Sequence, residues 1–156
     1  MENHNFKGFL MEAKRRTYAG QDDDAGAAEP LLPCSKQLEW QDGPLLYRDV
    51  YFGMRLFTGL ETVYRDRQAV WAMSYSGGVV DGMEDAAVSD TYRFLRDALR
   101  MVPEDQPFRG PAHHKSGAFT YSAVASGDTA RFEGREEIHD GGRLCYALSY
   151  AGGAVI

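Results

Sequence analysis

Residues 57–80 read FTGLETVYRDRQAVWAMSYSGGVV, and residues 132–155 read FEGREEIHDGGRLCYALSYAGGAV. At a constant offset of 75, Phe57, Gly59 and Glu61 meet Phe132, Gly134 and Glu136. Farther on, Ala72, Ser74, Tyr75, Gly77, Gly78 and Val80 meet Ala147, Ser149, Tyr150, Gly152, Gly153 and Val155. Val63/Ile138, Trp71/Tyr146 and Met73/Leu148 are conservative pairs. An ungapped match of this density is the mark of an internal duplication. Whatever one half folds into, the other is expected to repeat.

The match continues upstream. Tyr47 and Gly53 of YRDVYFG meet Tyr121 and Gly127 of YSAVASG at an offset of 74, and FLMEAKRRT (9–17) resembles FLRDALRMV (94–102). Phe6, Phe9, Leu10 and Ala13 fall on one helical face, with Asn3 or Asn5 as an N-cap. Val88, Tyr92, Leu95, Ala98, Leu99 and Val102 form a second stripe, capped by Ser89 or Asp90 and ended by Pro103. Alternation with β-branched and aromatic content predicts strands over 45–53, 60–66 and 69–77, then 117–126, 135–140 and 143–151. Arg65-Asp66-Arg67 and Asp140-Gly141-Gly142 read as hairpin turns.

The expected fold is therefore α+β, an αβββ–αβββ duplication. It would form a pseudo-twofold antiparallel sheet with two helices on one face. The 156 residues make one domain of two repeats, about 5–81 and 88–156. Between the first helix and its strands, residues 18–44 are the outlier. QDDDAGAA suggests a mobile acidic loop over about 19–29, and EPLLPCSKQLEW an extended stretch that packs between prolines.

On the last strand of each repeat one face is large and the other small. Ala69, Trp71, Met73 and Tyr75 oppose Val70, Ala72 and Ser74, as Leu144, Tyr146, Leu148 and Tyr150 oppose Cys145, Ala147 and Ser149. Two helices cover one sheet face only, so the other must meet water, a ligand or another subunit.

Composition narrows the function. Apolar residues at 44% and charged residues at 26% are those of a soluble globular protein. A net charge of −6 argues against nucleic acid as a partner of this chain alone. No run approaches the ~20 apolar residues of a membrane span, and the N-terminus lacks a signal-peptide core. Cys34 and Cys145 lie far apart without secretory features, so a reduced, cytoplasmic protein is expected. His113-His114, with His4 and His139 isolated, completes no metal set, and no cofactor is expected. Cys34 has only Lys36 nearby to lower its pKa, so no catalytic residue is nominated there. The Ser-Tyr-x-Gly-Gly motifs lack the flanking Lys-Ser/Thr and following helix of a phosphate loop. They read instead as strand ends under close backbone packing.

Glu61 and Glu136 stand out. Each lies two positions before a β-branched residue and so shares its inward face. A buried carboxylate needs a partner. Either the pair holds a cationic ligand, or each accepts hydrogen bonds from backbone or tyrosine and keeps its hairpin in register. Paralogous halves keep structural residues in common and let functional ones diverge, which favours the second reading. Tyr47, Tyr51, Trp71, Tyr75, Phe119, Tyr121, Tyr146 and Tyr150 supply aromatic surface, most of it core and some suited to a flat apolar or cationic molecule.

The stretch EPLLPCSKQLEW…LYRDVYFGMRLFTGLETVY…WAMSYSGGVV…FLRDALRMVPEDQPFRGP…YALSYAGG resembles a bacterial family of domains of unknown function. Such domains occur alone or behind a Cro/repressor-type helix-turn-helix. The resemblance implies kinship and no chemistry; no room for that DNA-binding segment is expected before Phe6. Cys34 stands where a small residue such as Gly is expected in PLLPxSKQ. The duplicated units also look like gyrase-inhibitor-like (GyrI-like) effector-binding domains in permuted order. That likeness implies a ligand cleft between the halves, with Glu61 or Glu136 as anchor and Trp71, Tyr75, Tyr146 and Tyr150 as walls.

Three functions follow as expectations. The first is a non-enzymatic domain sensing a small apolar or cationic molecule between the repeats. The second is a protein-interaction module that buries its open face in a homodimer. The third is an enzyme with Glu61 or Glu136 as general acid/base.

Overall fold

The computed structural model describes residues 2–20 and 25–156. The elements run α1 (Glu2–Arg16), β1 (Ala27–Ala28), β2 (Lys36–Asp42), β3 (Leu45–Gly53), β4 (Leu56–Arg65) and β5 (Gln68–Val79). They continue with α2 (Asp85–Leu99), β6 (His113–Ser116), β7 (Phe119–Asp128), β8 (Arg131–Asp140) and β9 (Arg143–Ala154). Among the described residues the strands form one nine-stranded antiparallel sheet in the order β1-β2-β3-β4-β5-β9-β8-β7-β6. The chain is α+β.

Each meander is closed by tight turns. Asp66 and Arg67 both take positive φ (50° and 70°), as do Gly141 and Gly142 (56° and 84°). Two such residues give the backbone twist that fits a two-residue hairpin between Arg65 and Gln68, and between Asp140 and Arg143. Register shifts fall between Val63 and Tyr64 in one hairpin and between Ile138 and His139 in the other. At the sheet centre β5 pairs with β9, with Tyr75 directly opposite Tyr150.

The large face of the sheet is the covered one. Phe9, Leu10 and Ala13 of α1 and Val88, Phe94, Leu95, Ala98 and Leu99 of α2 join Trp71, Met73, Tyr75, Tyr146, Leu148 and Tyr150 in one buried cluster. Phe9 stacks on Trp40 of β2 at 5.2 Å, and Phe94 on Phe119 of β7 at 5.1 Å, so each helix lies over a different wing. Burying each such side chain contributes roughly 1.5–3 kcal/mol. The uncovered face carries the small residues, Ser74, Ser76 and Ser149 among them, with Leu60 and Val124 exposed.

Glycine has a concrete task at two motif positions. Gly78 and Gly153 take φ of 150° and 153°, and a Cβ there would collide with the carbonyls of Arg55 and Ala130. Close backbone packing at a strand end thus accounts for both Ser-Tyr-x-Gly-Gly motifs.

Several expectations need correction. The order is αβββββ–αββββ rather than αβββ–αβββ, because β1, β2 and β6 extend the wings. Of the loop expected over 19–29, Ala27 pairs with Leu38 and Ala28 with Gln37, while residues 21–24 lie outside the described residues. Helix α1 begins at Glu2, so Asn3 and Asn5 lie inside it. Helix α2 begins after Glu84, upstream of Ser89 and Asp90, with no side-chain cap. Its start is fixed from outside: Arg55 donates to the Met83 carbonyl at 2.8 Å and pairs with Asp85.

Candidate functional site

The inner face of the sheet can be followed row by row across the strands. In the first half Tyr47, Val63 and Trp71 form one row, Asp49, Glu61 and Met73 the next, and Tyr51, Gly59 and Tyr75 a third. In the second half the rows are Tyr121, Ile138, Tyr146; then Ala123, Glu136, Leu148; then Ala125, Gly134, Tyr150. A side chain on Gly59 or Gly134 would strike the ring of Tyr75 or Tyr150, so both rows need the glycine.

Glu136 is closed in on every side. Arg109, from the loop between α2 and β6, donates to its Oε1 through Nη2 at 2.6 Å and Nε at 3.2 Å. Tyr146 Oη donates to Oε1 at 2.8 Å and Tyr121 Oη to Oε2 at 2.6 Å. Burial, followed by the neighbouring Glu136, pushes both phenols above the ordinary tyrosine range. The structural reading of this glutamate, an acceptor for tyrosines, is the one its geometry fits.

Glu61 is met differently. Lys14 of α1 donates to its Oε2 at 2.6 Å and also to the Phe108 carbonyl at 2.6 Å. Burial lowers the Lys14 pKa, against the pull of Glu61. Among the described residues, four buried side-chain atoms have no hydrogen-bond partner: Glu61 Oε1, Tyr47 Oη, Trp71 Nε1 and Tyr18 Oη. Tyr47 and Trp71 flank Val63 as Tyr121 and Tyr146 flank Ile138 in the other half. The first-half glutamate is thus under-bonded where the second-half one is saturated.

Directly across the strand pair from Glu61 lies Asp49, also buried. Tyr75 Oη donates to its Oδ1 at 2.6 Å. Burial, then the charge of Glu61, pushes the Asp49 carboxyl up to about 7. Loss of water around the carboxyl sets the direction, and the facing carboxylate adds to it.

Asp49 and Tyr75 form the floor of a cleft of about 430 Å³, with the Tyr18 ring and Arg109 beside them. Tyr51, Phe57, Tyr92 and Leu99 wall it, and Lys36, Met54 and Arg96 also line it. The Arg109 guanidinium lies over the Tyr18 and Tyr75 rings at 5.2 and 5.7 Å. At the matching place in the second half, beside Ala123, Ala125 and Tyr150, only about 20 Å³ remains. Gln106, Phe108, Gly110 and Ala112 fill the rest. Phe108 stacks on Phe132 at 3.9 Å, anchoring that plug.

Of the six residues nominated from the sequence, Tyr75 alone lines this cleft. Glu61, on the strand between those of Asp49 and Tyr75, does not line the cleft and is paired with Lys14. Glu136 and Tyr146 lie in the buried cluster behind Arg109 and do not line the cleft. Trp71 packs between Phe6 and Phe132, and Tyr150 lies beneath Gly134. The nominations overlooked Asp49, Tyr18, Tyr92 and the two internal cations. A signal for Asp49 existed: at the offset of 74 that aligns Tyr47 with Tyr121, Asp49 meets Ala123 and Tyr51 meets Ala125. The halves diverge where the cleft is.

A family model described as a domain of unknown function (DUF5680) matches residues 49–155. No curated protein matches, and no solved structure matches. No described helix is long and apolar enough to cross a membrane.

Proposed function

The chain belongs to this family of domains of unknown function, and on that premise we propose that it is a non-enzymatic small-molecule-binding domain made of two repeats. The observation that carries the reading is the contrast between equivalent places: about 430 Å³ open beside Asp49, and about 20 Å³ beside Ala123. The open volume lies within the range of ligand sites, and its aromatic walls around a few polar groups are of the usual kind. The repeat origin is supported by the matching register shifts, the matching two-residue turns and the pairing of Tyr75 with Tyr150. The ligand lies against one repeat, closed from the far side by the loop that carries Arg109. Its apolar body contacts Tyr51, Phe57 and Tyr92.

Native mass spectrometry of freshly purified protein at two concentrations, beside a denaturing spectrum, tests the reading. It predicts a non-covalent adduct in the native spectrum alone, weakened by Tyr51→Ala, a change on the cleft wall. An adduct indifferent to Tyr51→Ala, or a dimer without adduct, would count against it.

A second reading is favoured by one feature. A carboxyl held near 7 inside a cleft suits a general acid/base, and Asp49 rather than Glu61 or Glu136 occupies that position. It predicts covalent change in the adduct's mass during incubation, lost in Asp49→Asn.

A further inference from the structure

We propose that the molecule bound in this cleft carries a cationic head with N–H donors, such as an ammonium, amidinium or guanidinium, seated against Asp49 and Tyr18. This inference rests on the cleft being a binding site, and it adds the chemistry of what binds.

The charge count of the interior leads to it. The buried charged side chains among the described residues are Lys14, Asp49, Glu61, Arg109 and Glu136. Lys14 closes on Glu61 at 2.6 Å and Arg109 on Glu136 at 2.6 Å. Three acids face two bases, and Asp49 is left over. Its hydrogen-bond partner is the Tyr75 phenol, a neutral donor, and its cross-strand neighbour is another carboxylate. A buried carboxylate in that position gains most from a cation placed beside it. The cleft opens at this carboxylate and not at either paired one.

Hydrogen bonding then selects the kind of cation. The Tyr18 hydroxyl is buried without a partner, and Tyr18 lines the same cleft. Its oxygen and the Asp49 carboxylate both accept from N–H groups. A quaternary ammonium offers no donor, so it would leave the Tyr18 oxygen unpartnered and give Asp49 no new hydrogen bond. The rings of Tyr51, Phe57 and Tyr92 add attraction for a cation and area for an apolar body.

The cations that also line the cleft do not reverse this. Arg109 is held by Glu136. Lys36 is exposed, where salt screens it, and Arg96 is already engaged.

The test uses four probes with one apolar body: 2-(2-naphthyl)ethylamine, its N,N,N-trimethyl derivative, 2-naphthylacetate and neutral 2-ethylnaphthalene. Each is titrated calorimetrically into the whole protein near neutral pH. The expected result is that the primary amine binds at least about tenfold more tightly than the other three. Asp49→Asn, which keeps an acceptor for Tyr75, should erase that preference while the hydrocarbon binds as before. Tyr18→Phe should narrow the gap between the amine and its trimethyl derivative and leave the carboxylate untouched. This second variant decides the matter if Asp49→Asn fails to fold. Equal binding of all four probes, or tightest binding of the naphthylacetate, overturns the cationic head and leaves the cleft as a binding site. Failure of every probe, hydrocarbon included, overturns the cleft reading and the head group with it.

Discussion

Glu61 and Glu136 occupy matching rows of one sheet, yet they live in opposite circumstances. Around Glu136 an arginine and two tyrosines use both oxygens, and a loop plugs the space beside it to about 20 Å³. Around Glu61 a single lysine uses one oxygen, Tyr47 and Trp71 carry unpartnered polar atoms, and a second carboxylate stands alongside. Matching rows are finished as a saturated core in one half and left under-bonded beside an open cleft in the other. What differs is Asp49 against Ala123, Tyr51 against Ala125, and which loop covers them.

Removing the two internal cations, Lys14 and Arg109, separates the two glutamates most strongly. Lys14→Met leaves Glu61 buried without a partner and facing Asp49. A loss of roughly 3–5 kcal/mol is expected in urea denaturation. Arg109→Met also strands a carboxylate, but Tyr121 and Tyr146 still donate to it, so the loss should be smaller, about 2–3 kcal/mol. The reverse order would mean that Glu61 is the better-supported of the two.

The next effect is one of pH. The Asp49 carboxyl rises from 3.8 to about 7 on folding, so between these values the native state holds the proton more firmly than the unfolded chain. Its ionisation therefore lowers stability as pH rises through that window. Asp49→Asn removes the group, and should be more stable than the wild type near pH ~8, on the order of 2–4 kcal/mol. The advantage should shrink as pH falls and vanish below about pH 4. Denaturation curves across that range check both sign and window.

A gentler pair of changes sharpens the contrast. Tyr121→Phe deletes a hydroxyl bonded to Glu136 and should cost about 1.5–3 kcal/mol. Tyr47→Phe deletes a hydroxyl without a partner at the matching position, and should change stability by no more than about 0.5 kcal/mol. Equal costs in the two halves would remove the asymmetry on which the site rests.

Much of this was legible along the chain. Alternation in LLYRDVYFG places β3 at 45–53 as observed, and the two hairpin turns fall where Asp66 and Gly141-Gly142 mark them. Both glutamates point inward as their spacing from Val63 and Ile138 implies. Strand β6 is hidden because HHKS has no apolar alternation, and β2 because prolines frame its approach. The partners of the glutamates were beyond local pattern: Lys14 is 47 residues from Glu61, and Arg109 is 27 from Glu136. Asp49 was readable, since it alternates with Tyr47 and Tyr51 on the inward face. It is conspicuous once the two halves are compared for their differences instead of their identities.

The most direct test of ligand binding beside Asp49 is an amide chemical-shift titration of isotope-labelled protein with 2-(2-naphthyl)ethylamine. Binding beside Asp49 predicts shifts concentrated at Asp49, Tyr51, Phe57 and Tyr92, with Ala123 and Ala125 silent. Shifts centred on Ala123 and Ala125, or spread over Ser74 and Ser149 on the open face, would contradict it.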